Sequence, residues 1–300
     1  MSEETRERPV SHESAPRRTF LQTAALGSGL LVGGLGTPSP ALAQGGGEDV
    51  LQRVIKAKQI NIAVVIYPPL TIKQGSELSG TFVEAARWLA KQMDVQANFV
   101  ESEFGTFIAA IQSGRADIAL SGSFATVPRA MAVDFTKNVM WFGSSALVRK
   151  ADEKKWKTIE DADQPNVRFI QSEGTAIHKQ LVQLVKKGKV IATAPGTQPA
   201  NMALEVLSNR ADVYVEDEWL IKKNVEQHKG RLVEMPSYVE KPWGLNAVSW
   251  AVAKGQTPML NVLNVAVDRL TDNNMFQQWD EKYGAHWLYR KETYYQGAKG

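Results

Sequence analysis

The stretch IALSGSFATVPRAMAVDFT, Ile118 to Thr136, decides the fold. It opens on the end of an apolar strand and runs into a small-residue loop, Ser121-Gly122-Ser123. Thr126 and Pro128 then start a short turn that carries Arg129, and Asp134-Phe135-Thr136 begins the next segment. A small-residue loop after a buried strand leaves backbone N–H groups free to meet a ligand. A single arginine beside it can grip a carboxylate through two parallel hydrogen bonds.

The chain on either side of this stretch alternates. Upstream, Asp49 to Lys56 is a short helix and Ile60 to Ile66 a continuous apolar run, the pattern of a buried parallel strand. Tyr67-Pro68-Pro69-Leu70 breaks the run, because neither proline can donate to a ladder. Gly75 to Gly80 is a turn, Phe82 to Met93 a helix with apolar residues at helical spacing, and Val95 to Val100 a second strand. A helix over Phe107 to Gln112 ends at Gly114, and Ala116 to Leu120 is the third strand. Downstream, Ser144 to Arg149 is a strand and Ala151 to Lys157 a charged linker. Thr158 caps a turn through Ala162. Strands follow at 167–170, 190–193 and 211–215, with helices at 175–186 (stopped by Gly188), 199–207 and from Glu216-Asp217-Glu218 to His228. A long strand, Leu245 to Ala253, precedes closing helices over Pro258 to Leu270 and Met275 to Tyr283. Strands alternating with helices of this length imply βαβ units and a parallel sheet.

The two series echo each other. Ser113-Gly114-Arg115-Ala116-Asp117-Ile118 and Ser208-Asn209-Arg210-Ala211-Asp212-Val213 each join a helix to a strand. Ligands of open α/β sheets bind at the carboxyl ends of strands, so two such edges facing each other make a cleft. The residues at those edges are Tyr67, Phe104, Ser121 to Arg129, Gly174-Thr175 and Asp217. Gly174-Thr175 opens a helix whose free N–H groups and dipole favour an anion. An arginine and a helix N-terminus suit a carboxylate and an aspartate suits an ammonium, which together match an α-amino acid.

Composition narrows the alternatives. The chain has 300 residues, enough for two lobes, and a net charge of +3, too small to argue for nucleic acid. It has no cysteine, so thiol chemistry and disulfides are excluded. His12, His178, His228 and His286 lack metal-ligand spacing, and no glycine–lysine phosphate loop or Gly-x-Ser-x-Gly elbow occurs. No metal or cofactor is expected. At the start, Arg17-Arg18 precede an apolar, glycine-rich run, and no charge occurs from Thr19 through Gly47. Ala41-Leu42-Ala43 offers a small-residue cleavage site, so residues 1–43 are expected to be an export signal similar to the twin-arginine type. The tail from Ala285 carries Trp287, Tyr289, Tyr294 and Tyr295, and part of it is expected to dock on a lobe.

The chain resembles the family-3 extracellular solute-binding proteins, the polar amino-acid receptors of ABC importers. The resemblance runs over about Gln52 to Tyr283. Its carriers are Tyr67-Pro68-Pro69-Leu70, Gln112 to Ile118, Ser121-Gly122 with Thr126 and Arg129, Val133 to Thr136, Gly174-Thr175, and Asn209 to Asp212 with Asp217. It implies a two-lobed α/β fold, each lobe a mostly parallel sheet flanked by helices, joined by two hinge strands. The expected division is 48–142 for lobe 1, 143–249 for lobe 2, and 250–300 for the return to lobe 1. It implies a periplasmic monomer, cleaved near Ala43, that closes on its ligand and serves a membrane permease. By the same resemblance Arg129 binds the ligand carboxylate with help from Thr175, Asp217 binds the ammonium, and Tyr67 covers the side chain. The chain departs from the family where Phe124 replaces the usual Ser or Thr and Ala176 a frequent second one. The expected pocket is therefore rich in aromatics: Tyr67, Phe104, Phe124 and Trp141. Two alternatives stand beside it. One is an enzyme similar to cyclohexadienyl or arogenate dehydratases, with Glu173 or Glu216 as acid, although nothing in the sequence marks either as buried or perturbed. The other is a receptor for a carboxylate or aromatic acid.

Overall fold

The computed structural model describes residues 49–284. Asp49 caps the first helix, α1 (Val50–Ala57), by accepting from the amides of Leu51 and Gln52. Then come β1 (Gln59–Val65), a small hairpin of β2 (Ile72–Gln74) and β3 (Glu77–Ser79), α2 (Thr81–Gln92), β4 (Gln96–Ser102), α3 (Phe107–Gln112), β5 (Ile118–Ala119), α4 (Val127–Ala130) and β6 (Val133–Arg149). The second series is α5 (Ile159–Ala162), β7 (Arg168–Ser172), α6 (Ala176–Leu184), β8 (Lys189–Thr193), α7 (Pro199–Leu207), β9 (Val213–Asp217), α8 (Glu218–Gln227) and β10 (Leu232–Glu234). The chain closes with β11 (Gly244–Ala253), α9 (Thr257–Asp272) and α10 (Met275–Tyr283).

The strands lie in the order β4-β1-β5-β11-β6-β9-β7-β8, with β10 beside β6. Pairings at the two ends are parallel: β4-β1-β5 on one side and β9-β7-β8 on the other. Between them run two long antiparallel strands. The first part of β6 pairs with β11 up to Ser144, and from Ser144 onward β6 pairs with β9. The fold is thus two parallel blocks connected through β6 and β11. Each block has an apolar cluster of its own, around Phe107, Ala63 and Ile111 in the first and Tyr214, Met202 and Ile170 in the second. The closing helices return to the first block, where α10 packs on α2 and α9 on α1 and β6.

The repeated Arg-Ala-Asp motif has one structural duty in both blocks. Asp117 accepts the amide of Asn61 at 2.7 Å and Asp212 that of Arg168 at 3.0 Å, each pinning a neighbouring strand near its start. Arg53 closes on Asp117 and Arg149 and Arg168 on Asp212. These arginines hold the Asp212 carboxyl down to about 2 against the cost of burial.

Several expected bounds move. The segments at 134–136 and 144–149 are one strand, β6, because the exposed Lys137 and Asn138 that look like a loop sit in its middle. The third strand shrinks to two residues, although Asp117 and Leu120 still donate to β1. The turn expected at 75–80 narrows to Gly75-Ser76, because Glu77–Ser79 is the strand β3 paired with β2. The helix from Thr175 stops at Leu184 because the Asp163 carboxylate takes the amides of Lys186, Lys187 and Gly188. The linker at 151–157 contains part of a 3-10 turn, Lys150–Asp152, whose buried Asp152 holds Arg149 and Lys155. The strand expected over 211–215 runs over Val213–Asp217, so Glu216 and Asp217 end a strand rather than open a helix. The export signal and the aromatic tail lie outside the described residues.

Candidate functional site

The carboxyl ends of the parallel strands from both blocks open onto one cavity, with a space of about 720 Å³ including its mouth. The first block contributes Tyr67 after β1, Phe104 and Gly105 after β4, and Gly122, Phe124 and Arg129 after β5. The second contributes Gln171, Ser172 and Thr175 around the end of β7, the 196–199 loop after β8, and Glu216 and Asp217 at the end of β9. Two close approaches join the blocks at the rim. A Cβ added to Gly174 would stand 3.0 Å from the Gly105 Cα, and one added to Gly196 2.8 Å from Glu103 Oε1.

Arg129 sits on the short α4, positioned by Pro128 in its first turn, and is buried. Its Nη1 donates to the Phe124 carbonyl at 3.1 Å and its Nη2 to the Phe104 carbonyl at 2.9 Å. The guanidinium lies over the Phe107 ring, 5.2 Å from its centroid. Among the described residues it has no ion-pair partner, and burial alone pulls it down to about 10. It therefore remains a buried cation at neutral pH, held by neutral groups, and a ligand anion is what it lacks.

Across the cavity, Asp217 is 3% exposed. Its Oδ2 accepts the Tyr67 hydroxyl at 2.6 Å, a bond between the two blocks, while Oδ1 is buried with no partner. Glu216 is buried beside it. Neighbouring residues on a strand ordinarily face opposite ways, but the Glu216 side chain turns back so that Oε1 accepts the Asp217 amide at 3.1 Å. Its Oε2 accepts the Tyr214 hydroxyl at 3.0 Å. Burial pushes both carboxyls up, and the negative Glu216 raises Asp217 further. Burial next to these acids also raises the phenols of Tyr67 and Tyr214.

Seven of the nine expected site residues line the cavity: Tyr67, Phe104, Gly122, Phe124, Arg129, Thr175 and Asp217. Ser121 does not, because its hydroxyl is buried in a 2.7 Å bond to Ser123. Gly174 stands behind the lining against Gly105, and its φ of +80° explains the residue type there. Thr175 lines the cavity, but its hydroxyl is engaged as the cap of α6, accepting from the His178 amide and donating to the Ser172 carbonyl. Ala176 and Ile177, whose amides belong to the first turn of α6, are both in the lining. Trp141 is part of β6 and outside the lining, so the aromatic wall is Tyr67, Phe104 and Phe124, with Tyr67 edge-on to Phe104 at 5.4 Å. Of the two candidate acids, which nothing in the sequence marks as buried, Glu216 is buried and raised by that burial, whereas Glu173 is exposed. Sequence reasoning also missed Glu103, Gln171 and Met202 in the lining. For Glu216, the one available signal was Tyr214 two residues earlier, on the same strand face.

Among the described residues no group of three or more His, Cys, Asp or Glu is placed to hold a metal ion. No helix among them is long and apolar enough to cross a membrane. Residues 60–286 match the family model of bacterial extracellular solute-binding proteins, family 3. The L-arginine-binding protein of Pseudomonas aeruginosa is 27% identical over 239 residues, covering 75% of this chain and 88% of the relative. A probable histidine-binding protein of Campylobacter jejuni is 26% identical, covering 72% and 81%. The crystal structure of the ancestral amino acid-binding protein AncCDT-1, a precursor of cyclohexadienyl dehydratase, superposes with a TM-score of 0.68 at 25% identity, covering 78% of this chain and 98% of that one.

Proposed function

Because the chain belongs to family 3 of the bacterial extracellular solute-binding proteins, we propose that it captures an amino acid by hinge closure and delivers it to the permease of an ABC importer. The observation that carries this reading is a buried cation and a half-satisfied buried carboxyl facing one cavity from opposite blocks. Among the described residues Arg129 has no carboxylate partner and Asp217 Oδ1 no hydrogen-bond partner. A ligand carboxylate on Arg129 and the amides of Ala176 and Ile177, with its ammonium on Asp217, satisfies both. The relatives named for arginine and histidine support an amino acid as the ligand class.

The proposed hinge is where β6 changes partners at Ser144 and where β11 begins beside it, Gly244 pairing Ser144. This supports a division of 48–142 with 250–300 against 143–249. The receptor acts as a monomer outside the cytoplasmic membrane, released by cleavage near Ala43. N-terminal sequencing of exported protein tests the last point.

Glu216 serves in binding rather than as a catalytic acid, in line with relatives that are named as binding proteins. Incubation with prephenate or arogenate is accordingly expected to give no aromatised product. The test of the main reading is a thermal-shift panel of amino acids, opines, betaines and aromatic acids. At a hundredfold excess over its dissociation constant the true ligand stabilises by about 2.7 kcal/mol, or about 5–10 °C for a chain of this size. Calorimetry on Arg129→Ala and Asp217→Ala then shows a loss of about 2–5 kcal/mol each. Binding of Asp217→Ala at wild-type strength would replace the amino-acid reading with a carboxylate or aromatic-acid receptor.

A further inference from the structure

Glu216 is left over when the two ends of an amino acid are accounted for. Three of the Arg, Lys, Asp and Glu side chains in the cavity lining are buried: Arg129, Glu216 and Asp217. With a ligand carboxylate on Arg129 and an ammonium on Asp217, one buried carboxylate still has no counter-charge. Its contacts are all neutral donors: the Asp217 amide, the Tyr214 hydroxyl, and Gln171 Nε2 at 3.5 Å, which gives its better bond of 2.6 Å to the Val215 carbonyl. The ionisable groups that act on the pair are Tyr67 after β1, Tyr214 on β9 and Glu218 at the start of α8, and Glu234 on β10 accepts from Ser145 opposite Glu216. Neighbouring β6 offers only Ser144 and Ser145 opposite the pair. None of these is a cation. A buried carboxylate without a cation either takes a proton or draws a cation from the ligand.

Resting on the amino-acid reading above, we infer that Glu216 is the residue that reads a second positive charge on the ligand. It selects amino acids whose side chain ends in a cation over neutral amino acids of the same shape. The cavity suits such a side chain, because Ile177, Met202 and Pro199 in its lining are apolar. An aliphatic stem can lie on them while its charged end meets the carboxylate. With a neutral ligand, burial favours the protonated form of Glu216, and a cationic side chain favours the ionised form. Proton release on binding therefore distinguishes the two ligand types.

The test uses L-arginine and L-citrulline, which share a shape and differ in side-chain charge. Titration calorimetry of the wild-type protein is expected to show arginine bound at least about tenfold more tightly. In Glu216→Gln the two should fall within about threefold of each other. A measurement on wild type alone covers the case in which the variant does not fold. Titrations in two buffers of different ionisation enthalpy should show arginine binding releasing up to about one proton more than citrulline binding. Equal affinities in the wild type, an undiminished preference in Glu216→Gln, or equal proton release would each overturn the role of Glu216 while leaving an amino-acid receptor intact. Folded protein that no amino acid stabilises would overturn both.

Discussion

Tyr67→Phe isolates one atom of the site. The Tyr67 hydroxyl donates 2.6 Å to Asp217 Oδ2, linking the loop after β1 to the end of β9. The phenyl ring of the variant keeps the edge contact with Phe104, 5.4 Å between centroids, so packing changes little. What disappears is a buried hydrogen bond to a carboxylate, worth about 1.5–3 kcal/mol. Asp217 Oδ1 already lacks a partner, so the variant leaves the whole carboxylate bare on that side. Both groups can be hydrated when the blocks stand apart, so the loss falls on closure rather than on the folding of either block. We expect ligand affinity to fall by about tenfold to 150-fold, with the thermal midpoint of the ligand-free protein nearly unchanged. Titration calorimetry with the ligand from the thermal panel measures the first and a melting curve the second. If Tyr67→Phe binds within about threefold of wild type while Asp217→Ala loses binding, the hydroxyl plays no part in the closed, liganded state and the reasoning fails.

Gly174→Ala places a side chain on a φ of +80° and a Cβ 3.0 Å from Gly105 Cα, so it should cost about 1–2 kcal/mol of stability and also weaken binding. Gly105→Ala makes only an ordinary 3.5 Å contact and serves as its control in melts and calorimetry. Asp280 is buried against Thr81 with Oδ2 unpartnered, and burial lifts it to about 7. The native state thus holds a proton that the unfolded chain loses near pH 4, and stability falls as pH rises from about 4 to 7, by up to about 4 kcal/mol over the full window. Urea midpoints at pH 5 and pH 8 should differ in that sense, and Asp280→Asn should shrink the difference without abolishing it, since the raised Glu216 and Asp217 slope the same way. Asp212→Ala strips the counter-charge from Arg168 and leaves Arg149 with Asp152 alone, and it should lower stability by about 2–4 kcal/mol with ligand affinity unchanged. A loss of affinity beyond the loss of folded protein would contradict that separation.

Most of the fold was legible because buried parallel strands are written as unbroken apolar runs, as at Ile60 to Ile66, and helices by spacing and caps, as at Thr175. What escaped depended on partners distant in sequence. The middle of β6 is polar at Lys137-Asn138 and small at Gly143 to Ser145, and only its pairing with β11 makes it a strand. The hairpin of β2 and β3 is three residues a side, too short to show a period. At the site, Arg129, Asp217 and the aromatic wall could be read from their places after strands. Glu216 could not, since alternation along β9 predicts it away from Asp217 and only the fold of its side chain onto the Asp217 amide turns it inward. The hydroxyls of Ser121 and Thr175 looked available in the sequence but are consumed by Ser123 and by the backbone of α6.

The two aspartates of the Arg-Ala-Asp motifs sit at the opposite strand ends from the cavity. Asp117 and Asp212 tie down the starts of β1 and β7, whereas every proposed ligand contact lies at or beyond the finishes of strands. The groups that keep each block folded and the groups that choose the cargo are therefore separated by the length of the sheet. On the proposed reading, replacement of Phe124 or Glu216 is expected to alter what is recognised while the anchors that secure the strands stay in place. Such a scaffold can exchange one specificity for another through changes at its cleft edge alone, without passing through unfolded intermediates in sequence space.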